Sequence, residues 1–359
     1  MEVKLNEFVL SKLIEEKSND LISQEEVQDL TFKIDAYCKG KGLTSLNYQE
    51  FKRLQETLEQ RYKKYFKTSV FLRLSNNREL DFNRFTSFII RKESLFEARL
   101  AFACYDSTYT HSLTVDDLKG YMHDQVKDVP EYDALTEDMQ ALYLHTASKK
   151  FLLLLGFEHM RKIHIQDLLL SPVLTEFLEV RENMDRDKKW EQSNWFSISY
   201  FMKLYNKFNL LDVMKRQSLN AAEAFKFGTY NMLFLERFCE EHGKQSRIDY
   251  DRYIELALIN DNSNNPHIVH LCFDALDVNK QGYLGHTEIK FFIDPIVTKL
   301  NIQLTDKLNS DVVVNELMDA LLVKIVRKKD LKSKFGSVFI KILCTKNGLV
   351  EYYNSFASS

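Results

Sequence analysis

One twelve-residue segment, "DVNKQGYLGHTE" at residues 277–288, constrains the fold of this chain more than any other feature. Its spacing is that of an EF-hand calcium loop. Oxygen-bearing side chains stand at loop positions 1, 3, 5 and 12, a main-chain carbonyl stands at position 7, and Gly282 stands where such a loop turns sharply. Because an EF-hand loop joins two helices, the segment predicts a helix–loop–helix unit.

An EF-hand also requires apolar side chains on both flanking helices, at one, four, five and eight residues from the loop. All of these sites are apolar in this chain, and they are Val269, Cys272, Phe273, Leu276, Ile289, Phe292, Ile293 and Ile296. This spacing places the apolar side chains on one face of each helix. The frame around the loop therefore predicts the fold independently of any metal.

The same loop predicts a calcium site with little charge. The expected ligands are the side chains of Asp277, Asn279, Gln281 and Glu288, together with the main-chain carbonyl of Tyr283. Calcium takes six to eight oxygens, and ligand charge tunes its affinity. Since only two of these ligands are carboxylates, the loop is either a calcium site of modest affinity or a structural element, and the sequence leaves both alternatives open.

Other segments resemble EF-hand loops that have lost their ligands. They are "DSTYTHSLTVDD" at 106–117, "GFEHMRKIHIQD" at 156–167 and "DVMKRQSLNAAE" at 212–223. In the first of these, His111 replaces the turn glycine. In the last, Met214 and Arg216 replace ligands, so that a cation stands where the ion should lie. At most one or two sites in the chain are therefore expected to hold calcium.

EF-hands occur in pairs, because the short strand in each loop needs a partner strand. The spacing of apolar residues suggests two such pairs. We expect Ile248 to pair with Leu284, and Leu80 to pair with Leu113.

The composition indicates a helical protein. The 359 residues contain 10 Gly and 4 Pro against 26 Phe and 17 Tyr, and such a scarcity of helix breakers favours helices with short connections. The predicted fold class is all-α, a two-lobed array of degenerate EF-hand helix–loop–helix pairs. One exception is expected: "VFIKILCTKNGLVEYY" predicts a small C-terminal β-hairpin around Asn347 and Gly348.

Four regions are predicted along the chain. Residues 1–68 form an N-terminal helical region, 69–180 a first degenerate EF-hand lobe, 193–300 a second EF-hand lobe and 301–359 a C-terminal extension. The charged run "RENMDRDKKWEQSN" at 181–194 marks the boundary between the two lobes.

Charge and apolar patterning exclude several classes of partner. A net charge of −3 gives no general attraction to nucleic acid or to an anionic membrane. The sequence contains no apolar run of membrane-spanning length and begins without the apolar core of a signal peptide, so a cytoplasmic protein is expected. The five cysteines are odd in number and widely spaced, which favours buried free thiols over a disulfide framework.

No enzymatic site is expected. The chain has no glycine-rich phosphate loop, no Gly-x-Ser-x-Gly elbow and no His-Glu-x-x-His helix. His267, His270 and Cys272 suggest a zinc corner, but Cys272 belongs to the apolar frame and no second Cys/His pair follows. Trp195 and Phe196 are interpreted as core residues in preference to an exposed anchor for a partner.

The order of several segments resembles the B-double-prime (B'') regulatory subunits of protein phosphatase 2A (PP2A). The segments are "KIHIQDLL", "SNWFSISYFMKLYNKFNLLD" at 193–212, "FLERFCEEH", and "IDYDRYIELALINDNSNNPHIVHLCFDALDVNKQGYL". The resemblance runs from about residue 60 to the C terminus. It is to the gamma-type branch, which includes the plant TONNEAU2/FASS proteins. The family often keeps an acidic loop at the position of 212–223, and this chain departs from it there.

This resemblance implies a regulatory subunit without an active site of its own. Members of the family dock on the HEAT-repeat scaffold subunit of the phosphatase, contact its catalytic subunit, and direct substrate choice or localisation. In the gamma-type branch the implied location is the centrosome or cytoskeleton, with a role in spindle and microtubule organisation. A free-standing EF-hand calcium sensor or adaptor is the alternative. It predicts a Met-rich groove exposed by calcium, whereas the 9 Met are scattered.

Overall fold

Helices dominate the computed structural model, which describes residues 12, 14–156, 162–182, 188–302 and 307–357. The helices of the first part of the chain are α1 (Gln24–Gly40), α2 (Tyr48–Thr57), α3 (Thr68–Leu74), α4 (Phe82–Tyr105), α5 (Val115–Val126), α6 (Pro130–Asp133), α7 (Glu137–Leu155), α8 (Ile165–Leu170), α9 (Pro172–Glu182) and α10 (Lys188–Ser193). Those of the second part are α11 (Ile198–Leu211), α12 (Ala221–Phe225), α13 (Met232–His242), α14 (Tyr250–Asp261), α15 (Pro266–Leu276), α16 (His286–Leu300), α17 (Ser310–Ala320), α18 (Lys334–Cys344) and α19 (Gly348–Ala357). The predicted all-α class is confirmed.

The described elements also include short strands and two 3-10 helices. The strands are β1 (Ser45–Leu46), β2 (Leu80–Asp81), β3 (Ser112–Thr114), β4 (Lys162–His164), β5 (Ser218–Leu219) and β6 (Ile248–Asp249), and the 3-10 helices span Gln60–Tyr65 and Asp330–Lys332. Each strand lies in the connection between two helices, as the short strand of an EF-hand loop does. None of the described helices is both long enough and apolar enough to cross a membrane.

Local sequence explains where several helices begin. The Ser23 hydroxyl accepts a hydrogen bond from the Glu26 main chain while the Glu26 carboxylate accepts one from Ser23, which is a capping box at the start of α1. A helix cap also lies at "NNP", residues 264–266. Asn265 accepts a hydrogen bond from the His267 main chain at 2.9 Å, and Pro266 occupies the first turn of α15.

The pairing of the loops differs from the predicted one. Leu80 of β2 pairs with Leu46 of β1, and Ile248 of β6 pairs with Leu219 of β5, each in an antiparallel ladder. The predicted pairs of Leu80 with Leu113 and of Ile248 with Leu284 are therefore wrong.

The partners were missed because they do not resemble calcium loops. Leu46 follows "KGKGLTS", which has no acidic side chain at all, and the partner of Leu284 is Val326, in the segment "DALLVKIVRKKD". Once a loop has lost its ligands, its strand residue remains an ordinary apolar residue in the sequence. Its partner is then fixed by the packing of the helices and not by loop chemistry.

The chain divides into two compact units, which are described separately. The first comprises residues 1–121 and 164–170, and the second comprises 122–163 and 171–359. The four regions predicted from sequence, with boundaries at 68, 180, 193 and 300, stay a prediction. Residues 157–161 of the loop at 156–167, and residues 183–187 of the predicted boundary segment, lie outside the described residues.

Aromatic rings fill the core of the first unit. Phe51 contacts Phe66, Phe71 and Phe85 with ring centroids 5.0, 5.2 and 5.4 Å apart, and all four side chains are buried. These rings belong to α2, α3, α4 and the turn between α2 and α3, so they join the helices of the paired loops at Leu46 and Leu80. Edge-on and tilted contacts of this kind add to the stabilisation that burial supplies.

A second aromatic cluster lies in the second unit. The ring centroid of Phe196 lies 5.3 Å from those of both Phe151 and Phe177. The Tyr143 hydroxyl donates a hydrogen bond of 2.8 Å to the Phe196 carbonyl. Trp195 is 4% exposed and its ring lies 5.4 Å from that of Tyr200. Trp195 and Phe196 are therefore core residues, as predicted, and not an exposed anchor.

The predicted C-terminal hairpin is wrong. The segment forms helices α18 and α19, which pack against each other, and the turn at Asn347 starts the second of them. Its β-branched and aromatic residues suggested strands. However, the buried residues Phe339, Ile340, Leu343 and Cys344 recur at helical spacing. Burial along one helical face outweighed the strand preference of these side chains.

The cysteines are free thiols, as expected, but not all are buried. Cys38, Cys239, Cys272 and Cys344 are buried, whereas Cys104 is exposed near the end of α4. Burial raises the pKa of Cys239 to about 12, so that thiol stays protonated at neutral pH. The thiols of the second unit are therefore packing residues.

Candidate calcium-binding loop

The loop at 277–288 has the helical frame that its sequence predicts. Helix α15 ends at Leu276 and α16 begins at His286. All eight apolar frame residues are buried, with Ile296 the most exposed of them at 7%. Burying a side chain of this size contributes about 1.5–3 kcal/mol to folding, so the two helices are held together whether or not an ion is bound.

Asp277, at position 1, is used by the loop's own backbone. Its carboxylate is 6% exposed and accepts hydrogen bonds from the main-chain N–H groups of Gln281 at 3.1 Å and Gly282 at 2.7 Å. Gly282 has φ +76°, a left-handed conformation that glycine adopts without steric cost. This arrangement fixes the sharp turn that the sequence predicts.

The Glu288 carboxylate, at position 12, accepts hydrogen bonds from the side chains of the two neutral ligands. One carboxylate oxygen accepts hydrogen bonds from the side-chain amides of Asn279 at 2.6 Å and Gln281 at 2.9 Å, and the other accepts one from the Gly285 main chain at 3.0 Å. The side chains of Asn279 and Gln281 therefore meet at Glu288, whereas the Asp277 carboxylate binds the main chain of the turn. Tyr283, predicted to contribute its carbonyl, lies half-buried between the turn and the buried strand residue Leu284.

The oxygens available suit a weak calcium site. Rotation of the Asn279 and Gln281 amides through about 180° turns their oxygens to the place that their nitrogens now occupy. With both carboxylates and the Tyr283 carbonyl, the loop then offers about six oxygens, the lower limit for calcium. The residues fit the ion. An ion must, however, displace the hydrogen bonds that Glu288 now accepts, which lowers the expected affinity.

Clusters of the usual metal-binding side chains point to no other centre. Within the residues that the structure describes, no group of three or more His, Cys, Asp or Glu side chains is placed to hold a metal ion. The loop at 277–288 is not such a group, because two of its ligands are amides and one is a carbonyl. Cys272, part of the zinc corner weighed from sequence, is fully buried in the frame.

The loop at 106–117 repeats the same backbone geometry. Asp106 is 4% exposed and accepts hydrogen bonds from the main chains of Thr110 at 3.3 Å and His111 at 2.7 Å. Asp117 accepts one from the Thr114 main chain at 2.9 Å. His111 has φ +55° at the position of the turn glycine, an uncommon conformation for a residue with a Cβ. The turn is therefore formed without the glycine that favours this left-handed conformation.

The loop at 212–223 repeats this geometry again, with a cation at position 12. Asp212 accepts hydrogen bonds from the main chains of Arg216 at 2.9 Å and Gln217 at 2.6 Å. The Glu223 carboxylate accepts one from the Asn220 main chain at 2.8 Å and forms an ion pair of 2.9 Å with the Arg247 guanidinium. Arg247 thus binds one oxygen of Glu223, the carboxylate that would coordinate an ion at position 12.

Arg247 is the functional residue that sequence reasoning missed. Arg216 and Met214 were expected to exclude the ion, but both side chains are exposed, Met214 at 62%. The cation instead comes from the paired loop, where Arg247 immediately precedes the strand residue Ile248. Its guanidinium also donates to the Ser218 hydroxyl at 2.9 Å. The correct strand pairing was the signal that would have identified it.

Three loops therefore share one design that needs no metal. In each, a buried aspartate at position 1 accepts the N–H groups of positions 5 and 6, and a carboxylate at position 12 accepts the N–H of position 9. Hydrogen bonds to a charged acceptor contribute about 1.5–3 kcal/mol. These carboxylates stabilise the loops as architecture, and in the loop at 277–288 the amide side chains of Asn279 and Gln281 stand beside them.

The chain is similar to curated B'' regulatory subunits of PP2A over nearly its full length. It is 27% identical over 364 residues to the human B'' gamma regulatory subunit of serine/threonine-protein phosphatase 2A, covering 98% of this chain and 80% of the relative. The Xenopus tropicalis B'' gamma protein is 27% identical over 99% of this chain and 82% of its own length. The predicted resemblance is confirmed, and these relatives are regulatory and not catalytic subunits.

A plant protein and a solved structure extend the comparison. TON2 of Arabidopsis thaliana, a probable B'' regulatory subunit of the same phosphatase, is 21% identical over 77% of this chain and 62% of its own length. A chain of a PP2A PR70 holoenzyme structure, labelled diCa, matches with a TM-score of 0.57 and 17% identity, covering 71% of this chain and 98% of that one. This likeness concerns the fold. No family model matches the chain.

Proposed function

We propose, from its homology to the B'' gamma proteins, that this chain is a regulatory subunit of PP2A. It docks on the scaffold and catalytic subunits and directs which phosphoproteins reach the catalytic metal site. The observation that carries the proposal is the similarity to the human B'' gamma protein over 98% of this chain and 80% of that protein. The chain itself supplies no catalysis in this role.

The mechanism that suits this fold is tethering. Each unit has an aromatic core, so its surface is held in a fixed shape on which partners dock. Large apolar side chains stand exposed on both units, among them Phe32 at 71%, Leu72 at 70% and Leu210 at 78%. Such side chains suit contact with other subunits. Binding energy from these contacts restricts the substrates presented to the phosphatase.

Direct binding tests this proposal. The full chain, immobilised at low density, is exposed to purified PP2A scaffold subunit and to the scaffold–catalytic dimer, in calcium and in EGTA. We expect saturable binding of both at micromolar or lower concentration. An unrelated EF-hand protein at the same density provides the control. Failure to bind either analyte at micromolar concentration, with and without calcium, contradicts the proposal.

We further infer that the loop at 277–288 is the calcium site of the chain, held by Asp277, Asn279, Gln281, Glu288 and the Tyr283 carbonyl. Its two carboxylates place the dissociation constant at about 10⁻⁴–10⁻³ M, the range of weak EF-hands. The ion would stiffen the junction between α15 and α16 and would leave the fold unchanged. The diCa label of the PR70 holoenzyme supports calcium in a relative.

Calorimetry with matched variants tests whether the loop at 277–288 binds calcium. Glu288→Gln removes one charge from position 12 of this loop and is expected to abolish the calcium heat. Glu223→Gln makes the same change at position 12 of the loop at 212–223, where Arg247 already occupies the carboxylate, and is expected to leave the heat unchanged. No heat from the wild-type chain at millimolar calcium contradicts the assignment.

The sensor alternative predicts a different response. A free-standing sensor opens on binding calcium and exposes an apolar groove, which 8-anilinonaphthalene-1-sulfonate reports as a rise in fluorescence. We expect no such rise, because the frame residues of the loop are already packed in a core without an ion. A large calcium-dependent rise, without phosphatase binding, favours the sensor.

The cellular role is proposed from the resemblance to the gamma-type branch alone. We propose a cytoplasmic protein that acts at the centrosome or cytoskeleton, in the organisation of spindle microtubules. A tagged chain is expected to co-localise with a centrosome marker in dividing cells. Uniform cytoplasmic signal throughout division contradicts this location and leaves the phosphatase proposal standing.

A further inference from the structure

An open groove lies in the second unit, along α16, the helix that follows the loop at 277–288. Its volume is about 660 Å³, and it is bordered by the starts of α13 and α19 and by the second half of α16. Its apolar walls include Phe225, Met232, Leu233, Leu300 and Val350. All five side chains are half-buried, so the groove presents apolar surface that the core does not cover. A groove of this size accommodates a few apolar side chains of a partner.

Two lysines give the groove a positive rim. Lys299 comes from the last turn of α16, and Lys346 lies just before α19. The Lys346 ammonium lies 3.6 Å from the centroid of the Phe225 ring and donates a hydrogen bond of 3.3 Å to the Phe225 carbonyl. Within the described part of the chain, neither lysine forms an ion pair, and Glu236 is the carboxylate of the lining.

The positive charges of the two lysines repel each other. Burial, and then the positive charge of Lys299, lower the pKa of Lys346, so the two ammonium groups are near enough to repel each other. The N-terminus of α19, at Gly348, adds the positive end of a helix dipole on the same side. A carboxylate between the two lysines would relieve this repulsion, whereas a further cation would increase it.

We propose that this groove binds a short acidic–apolar peptide segment of another protein, with its apolar side chains against Phe225, Met232 and Leu300 and a carboxylate between Lys299 and Lys346. Apolar burial supplies the affinity and the lysines supply the selection for acidic segments. The proposal rests on the groove alone and is independent of binding to the phosphatase subunits.

Selection from a random dodecapeptide phage library tests it. The immobilised full chain selects binders, and the double variant Lys299→Glu/Lys346→Glu removes those that bind elsewhere. We expect the remaining peptides to combine Leu, Phe or Ile with Asp or Glu. Enrichment of basic peptides, or of none that distinguish the two proteins, overturns the proposal.

A charge exchange makes the test specific. The most enriched peptide, labelled with fluorescein, is titrated by fluorescence polarisation, beside a second peptide with Lys at each acidic position. The double variant is expected to lose about tenfold or more in affinity for the acidic peptide and to gain affinity for the basic one, because the charges at the rim are reversed. Unchanged affinity for both peptides overturns the proposal.

Two controls separate binding from folding and from self-association. Lys329→Glu reverses an exposed lysine outside the groove and is expected to bind the acidic peptide as the wild type does. Lys299→Glu alone changes an exposed side chain, so it reports the charge effect if the double variant unfolds in a thermal melt. A wild-type dimer in sedimentation that the double variant abolishes would assign the groove to a second copy and overturn the proposal.

Discussion

Leu284 and Val326 exchange both of their main-chain hydrogen bonds, at 2.8 and 2.9 Å. The pair joins the loop with the most complete ligand set to the segment "DALLVKIVRKKD", in which Asp319 and Asp330 stand at positions 1 and 12 but leucine and valine stand at positions 3 and 5. The two side chains are 1% and 0% exposed. The loop at 277–288 is thus braced by two main-chain hydrogen bonds and a buried apolar pair, none of which involves a predicted ligand side chain.

Val326→Ala is expected to destabilise the chain without removing any ligand. The change deletes buried methyl groups and leaves a small cavity, at a cost of about 1–3 kcal/mol in the free energy of unfolding. Urea denaturation followed by circular dichroism measures this cost. Val312→Ala, on a side chain that is 61% exposed, is the matched control and is expected to change stability by less than about 0.5 kcal/mol. Equal effects from the two variants would contradict the role of the bridge.

Asp277→Ala is expected to destabilise the chain even in EGTA. The carboxylate accepts hydrogen bonds from the main-chain N–H groups of Gln281 and Gly282, and its removal leaves those donors without this acceptor. We expect a loss of about 1–3 kcal/mol, measured by urea unfolding without calcium. Glu288→Gln keeps an acceptor for Gly285 and should cost less. If Asp277→Ala is neutral in EGTA, the aspartate serves only as an ion ligand.

Much of this arrangement was predictable from the sequence, because local rules determine it. The frame residues, from Val269 to Ile296, follow helical spacing around a loop of fixed length, and the turn glycine marks its centre. Loop pairing was not predictable, since the segments around Leu46 and Val326 lack the ligand series of a calcium loop. The C-terminal helices were missed because their residues favour strands locally, and only tertiary burial of residues such as Ile340 and Leu343 decides for helix.

In the loop at 212–223, Arg247→Met is expected to lower stability without creating a calcium site. The guanidinium binds the Glu223 carboxylate and the Ser218 hydroxyl, and all three side chains are half-buried. Loss of these bonds is expected to cost about 1–3 kcal/mol in the free energy of unfolding, measured by urea denaturation. Calorimetry of the variant should show no additional calcium site, because Met214 and Arg216 still supply no ligand. A new calcium heat would show that Arg247 alone silences this loop.

A partly buried charge network in the second unit predicts how stability depends on pH. The Lys149 ammonium lies 2.6 Å from the Asp251 carboxylate and 2.8 Å from that of Glu255, and His145 lies 2.8 Å from Asp251. Burial alone would raise the pKa of Asp251. The hydrogen bond from His145 and the charge and hydrogen bond of Lys149 outweigh burial and hold this pKa well below its usual range.

Because the folded pKa of Asp251 is lowered, its contribution to stability is fully present above the pKa of the unfolded chain, about 3.9, and is lost as the pH falls below it. The Asp251 side chain is 36% exposed, so screening by solvent reduces the contribution to about 1 kcal/mol. Asp251→Asn is expected to lower stability by this amount at pH 7, and the difference from wild type should shrink between pH 5 and pH 3. Urea unfolding at pH 7, 5, 4 and 3 measures this difference.

Asp319→Asn, at an exposed aspartate that forms no ion pair among the described residues, is the control and should show no such trend. A difference that stays constant down to pH 3 would mean that Asp251 stabilises the unit through hydrogen bonding and not through its charge.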